Sequence, residues 1–230
     1  MKDYQTKIFI RSAIKSAIQM CRAFFISVAL KIKKSMIKIG ITGGIGSGKS
    51  IVSKVFSTLG IPVFDADSWS KKIMNEDEDL IKKITYSFGK VYEDGVLNRK
   101  KLGEMVFKDQ KKLQTLNALV HPATIKAWKQ WEEKQSAPYI IKEAAIMFES
   151  GTAADIDYMI GVYAPVHLRI KRTMQRNKIS RGDVLQRMDK QIDDRIKMKL
   201  CDYVVLNDEL TLLIPQVIDL HKKFIQLKNN

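Results

Sequence analysis

The chain has 230 residues, 45% of them hydrophobic, and a formal net charge of +15. That length and apolar content suit one α/β domain with a sizeable core, and two cysteines, Cys21 and Cys201, exclude a disulfide framework or a thiolate metal cluster. The charge leaves nucleic acid, an acidic membrane surface or a polyanionic small molecule open as partners, and a reducing cytoplasm is the simple reading of so few cysteines.

Residues 1–35 read as a basic leader, carrying eight Lys and Arg against Asp3, or +7 of the total +15. Their longest uncharged run, 23–30, is too short to span a bilayer. They also lack a convincing small-residue cleavage site. The favoured reading is upstream sequence ahead of a true start at Met36. A basic amphipathic helix on a membrane surface and a targeting segment are the alternatives, so membrane contact through 1–35 is the less favoured reading.

"IKIGITGGIGSGKSIV", residues 37–52, follows at once. Ile37, Ile39 and Ile41 lie in an apolar run of strand type. Gly43, Gly44, Gly46, Gly48, Lys49 and Ser50 then fit G-x-x-x-x-G-K-[ST], the pattern of a phosphate-gripping loop. Glycines there let the backbone turn its N–H groups inward, where side chains would fill the space. Lys49 is expected on the β- and γ-phosphates and Ser50 on Mg²⁺, at the positive end of the following helix. Ile51, Val52, Val55, Phe56 and Leu59 recur at helical spacing up to Gly60 and Pro62.

Ile61, Val63 and Phe64 make a short second strand, with Asp65 and Asp67 at its C-terminal end, where ligands bind in open parallel sheets. A kinase needs a carboxylate near the accepting hydroxyl. The alternative is that one or other aspartate only caps the next helix. Residues 68–135 read as a mostly helical insertion over a substrate, with Trp128 and Trp131 as packing residues. Strands follow at 139–142, running into Glu143, and at 158–163. Next comes a helical stretch dense in basic residues, including Arg169, Arg172, Arg176, Arg187 and Arg195. Arginine forks of this kind suit charge stabilisation over a phosphate chain. "CDYVVLND" is a last strand and 211–227 a closing amphipathic helix. Strands alternating with helices predict a doubly wound parallel sheet with helices on both faces.

"TGGIGSGKS", "VFDADSWS", "LNALVHP", "AAIMFESG", "RIKRTMQRN" and "CDYVVLND", in that order and spacing, resemble the dephospho-CoA kinase family over 36–227. The resemblance implies a P-loop kinase fold with a helical acceptor-binding insertion at about 68–135 and a lid at about 170–197. It implies ATP-dependent phosphorylation of the 3′-hydroxyl of dephospho-CoA, the last step of CoA synthesis, in the cytoplasm with Mg²⁺. By likeness, Asp67 would be the base on that hydroxyl. Gly44, Ile45, Gly46, Ser47, Gly48, Lys49, Ser50 and Ile51 would hold ATP, with Ser50 on the metal. Arg172 and Arg176 would lie in the lid, His121 near the acceptor and Asn207 near the adenine.

Ile51 stands where the family often has threonine, and Ala145 where it commonly has proline. His167 and His221 match no motif and are read as structural. The rivals are a nucleoside or nucleotide kinase, and a nucleotide switch or nucleic-acid ATPase. A GTPase would need a guanine-reading N-K-x-D, which the sequence lacks. Nucleic acid is not an expected partner, and oligomeric state is left open.

Overall fold

The computed structural model describes residues 36–107 and 109–229, and all readings of 1–35 lie outside them. Five strands form one parallel sheet: β1 (Ile37–Thr42), β2 (Val63–Asp65), β5 (Tyr139–Glu143), β6 (Tyr158–Tyr163) and β7 (Tyr203–Leu206). Their spatial order is β2-β5-β1-β6-β7. The chain leaves β1 towards β2 and leaves β6 towards β7, so connections diverge between β1 and β6, the kind of crevice that binds ligands. The sheet is doubly wound, as the sequence pattern predicts.

β1 and β5 are buried almost throughout, as central parallel strands must be. Ile39 and Ile41 of β1 and Ile141 of β5 pack with Phe56 and Val52 of α1 (Lys49–Thr58) and Val217 and Phe224 of the C-terminal α9 (Leu213–Asn229). Gly40 has no room for a side chain, since a Cβ there would run into the sulfurs of Met159 and Met147. Parallel register aligns Ile41 with Glu143, and Glu143 in turn with Asp65. The sheet therefore delivers two carboxylates to the rim where the glycine loop begins.

The insertion consists of α2 (Ala66–Glu76), α3 (Glu78–Phe88), α4 (Arg99–Phe107) and α5 (Gln110–Glu132). It has its own apolar cluster around Leu80, Ile84, Phe88 and Leu102. α5 runs through Pro122 and forgoes one main-chain hydrogen bond there. Trp128 is fully buried against Phe64 and Trp131, which is the packing role expected of it.

Two stretches read as mostly helical carry finer detail. The segment from Phe88 to Phe107 is not wholly helical: β3 (Tyr92–Glu93) and β4 (Val96–Leu97) form an antiparallel hairpin. Asp94 and Gly95 both have positive φ, 49° and 78°, as a tight hairpin turn requires. The basic helical stretch divides into three helices, α6 (Val166–Asn177), α7 (Arg181–Met188) and α8 (Asp194–Lys199). Lys178, in left-handed conformation, ends α6. Ser180 and Asp183 then form a reciprocal cap that starts α7.

Candidate active site

Residues 43–48 connect β1 to α1 with positive φ at Gly43, Gly46 and Gly48. All three also lack room: a Cβ on Gly43 would run into the Val162 carbonyl. A Cβ on Gly46 would meet the backbone of Arg169, and one on Gly48 the amide of Asn207. The loop is packed by α6 and by Asn207 as well as bent by its own backbone. Lys49 Nζ donates to the carbonyls of Gly43 at 3.0 Å and Gly44 at 3.4 Å. Burial lowers its pKa to about 8, against the opposing pull of Glu143 and Asp67. Ser50 Oγ lies 3.1 Å from Glu143 Oε1, and burial pushes the Glu143 carboxyl up. Ile51 is 57% exposed, so its side chain belongs to no core.

The paired aspartates separate cleanly. Asp65 caps α2: its Oδ1 accepts from the N–H groups of Asp67 at 3.0 Å and Ser68 at 3.2 Å, and its Oδ2 from Ser68 Oγ at 2.5 Å. Asp67, in the first turn, accepts no side-chain hydrogen bond among the described residues. It opens onto a cavity of about 250 Å³ whose walls include Met74, Val120, His121, Lys142 and Ile146. Desolvation raises its pKa, and the Asp65 carboxylate adds to the rise. Asp67 and His121, from sequence segments far apart, thus share one cavity. Lys142, buried in β5, reaches Asp155 at 3.5 Å and lies over the Trp128 ring.

The arginines expected in a lid divide. Arg172 donates to the Asn207 carbonyl at 3.1 Å and pairs with Glu209 at 2.9 Å. Arg176 is exposed and bonds Asn177 at 3.1 Å. It is not drawn to the phosphate loop among these contacts. Arg169 is: buried, paired with Asp194, it donates Nε to the Ile45 carbonyl at 2.9 Å. Burial lowers its pKa. Asn207 donates Nδ2 to the Ser47 carbonyl at 2.8 Å, joining the end of β7 to the loop. His221 bonds the Tyr139 hydroxyl at 2.7 Å, away from the cavity.

Sequence reasoning did not single out Arg169 from its neighbours, although its i,i+4 relation to Thr173 marks the buried face of α6. It missed Gln191, whose Oε1 accepts from the Ile45 N–H at 2.9 Å. No local pattern flags a glutamine between two short helices.

A glycine loop, a cation of lowered pKa, a serine–glutamate oxygen pair and a cavity carboxylate can together grip phosphates and orient an accepting hydroxyl. Comparison with known proteins agrees. The family model described as "CoaE: Dephospho-CoA kinase" matches residues 37–212. A dephospho-CoA kinase of Bacteroides fragilis is 37% identical over 186 residues, covering 80% of this chain and 91% of the relative. One from Porphyromonas gingivalis is 39% identical over 185 residues, covering 80% and 92%. Among solved structures, TT1252 from Thermus thermophilus superposes with a TM-score of 0.73 at 30% identity, covering 84% of this chain and 97% of that one. A dephospho-CoA kinase from Campylobacter jejuni gives 0.62 at 27%, covering 82% and 97%.

Proposed function

The chain belongs to the dephospho-CoA kinase family, and from that premise we propose how its residues phosphorylate dephospho-CoA with ATP. The reaction converts ATP and dephospho-CoA into ADP and CoA, the final step of CoA biosynthesis. In this reading residues 36–230 are the kinase domain, about 68–135 the acceptor-binding insertion and about 170–197 the lid. The observation that carries it is the cavity onto which Asp67 opens, with Asp67 near enough to Lys49 of the glycine loop for their charges to interact, while Asp65 is occupied in capping.

Within residues 44–51 the N–H groups not already engaged inside the protein hold the ATP phosphates, while that of Ile45 is given to Gln191, and Lys49 balances the phosphate charge. The 3′-oxygen of the acceptor ribose attacks the γ-phosphorus. The bond to the β–γ bridging oxygen breaks, and Asp67 receives the hydroxyl proton. Transfer is direct, with no phospho-enzyme. His121 contacts the acceptor from the same cavity. Asn207, held against the loop, lies on the adenine side. Arg172 and Arg176 serve the lid over the phosphates, and the contacts of Arg172 with Asn207 and Glu209 favour it over the outward Arg176.

Magnesium is the ion that such a loop implies. Ser50 Oγ beside Glu143 Oε1 offers the oxygen donors a hard cation takes, fewer than a full cage, so the residues fit. Ser50 would hold the ion, which when bound neutralises phosphate charge. A cytoplasmic setting belongs to this reading. Among the described residues no helix is long and apolar enough to cross a membrane.

Asp67→Asn tests the central assignment. The variant keeps size and polarity but cannot take the proton. Its kcat is expected to fall about 10²–10⁴-fold, with ATP affinity by calorimetry unchanged. Turnover near that of the unaltered chain would remove Asp67 from this role.

A further inference from the structure

We propose that Glu149 and Gln191 are positioning residues that tie the phosphate loop to the wall of the acceptor cavity. The inference rests on the assignment of those two sites given above. Neither residue lines the cavity, and the mechanism as derived uses neither.

The connection starts at the cavity wall. Segment 144–152 contributes Ala144, Ile146, Ser150 and Thr152 to the lining. Glu149 belongs to that segment, and its Oε1 accepts from Lys197 Nζ at 2.9 Å. Lys197 is fully buried on α8 and also donates to the Ala145 carbonyl at 3.1 Å. The same Glu149 oxygen accepts from the Ile192 N–H at 3.0 Å. This fixes the backbone where Gln191 projects. Gln191 Oε1 then accepts from the Ile45 N–H at 2.9 Å, while Arg169 Nε donates to the Ile45 carbonyl at 2.9 Å. Both polar groups of one loop peptide residue are therefore held from the lid side.

Ile45 is where such a hold is needed. It sits between Gly44 and Gly46, and glycine backbone has little shape preference of its own. The loop's position relative to the acceptor must be set from outside. A chain of hydrogen bonds from the cavity wall to Ile45 does this, and it keeps the γ-phosphorus in register with the accepting oxygen. In-line transfer depends steeply on that distance. Loss of the connection should therefore lower kcat rather than weaken binding.

The measurement is steady-state kinetics on the full chain with ATP and dephospho-CoA, for Gln191→Ala, Glu149→Ala, Glu149→Gln and the Glu149→Ala/Gln191→Ala double variant. Melting curves and stoichiometric binding of a non-hydrolysable ATP analogue count the folded sites. Gln191→Ala is expected to lower kcat about 10- to 100-fold with both KM values within about threefold. Glu149→Gln, which retains an accepting oxygen for Ile192, should keep most of the activity. The double variant should be no worse than Gln191→Ala, because both act through one chain of contacts. If Glu149→Ala does not fold, the Gln191→Ala and Glu149→Gln results decide. An unchanged kcat in Gln191→Ala, a raised KM alone, or losses in the double variant that add in full would overturn the proposal. No transfer to dephospho-CoA by the unaltered chain would sink the functional reading itself, and this inference with it.

Discussion

Lys49 and Asp67 titrate in opposite directions from their ordinary ranges, and burial is the leading cause for each. The two shifts predict a bell-shaped pH profile for kcat/KM with ATP. Lys49 holds phosphate only as the ammonium, which the ligand-free protein loses as pH rises past about 8. Asp67 accepts a proton only as the carboxylate. Its raised pKa means that this form is lost on acidification sooner than for an ordinary aspartate. The alkaline limb is therefore expected near pH 8. A flat profile from about pH 7 to about pH 9.5 would contradict the lysine assignment.

At the scale of elements, α2 shows how a cap serves a site. Asp65 ends β2 and accepts two N–H groups of the first turn of α2, which fixes the position of Asp67 two residues on. Asp65→Ala should cost about 0.5–2 kcal/mol of stability in denaturant unfolding. It should also lower kcat, since Asp67 loses its support. Full activity in a destabilised Asp65→Ala protein would separate the cap from the site. The elements most legible in the sequence were those with a strong period or punctuation. β1, the glycine loop and α1 follow directly from Ile37 to Gly60, and Tyr139 to Glu143 from its apolar run. Asp65 and Asp67 were visible as a pair, but only the fold shows which one caps, because capping depends on where the helix begins. The hairpin at Asp94–Gly95 carried a turn signal that the helical look of its flanks obscured. The break between α6 and α7 rests on Lys178 and the Ser180 cap, and α8 starts at the Asp193 cap; the charge density of that stretch masked all three. Gln191 and Glu149 meet Ile45 and Ile192 across separations of 146 and 43 residues, contacts that no local pattern encodes.

For the whole molecule, the sheet brings the ends of β1, β2 and β5 together, and the insertion closes one side of the resulting crevice. Closure matters because water is the competing acceptor for the γ-phosphate. Of the +15 charge, +7 lies in residues 1–35, so the remaining excess suits a protein that handles two polyanionic substrates. The most direct measurement is mass spectrometry of the products after the full chain is incubated with ATP, Mg²⁺ and dephospho-CoA. Dephospho-CoA is expected to gain a single phosphate on its ribose, with one ADP formed for each CoA. ATP binding by the folded chain with no phosphate gained by dephospho-CoA would contradict it.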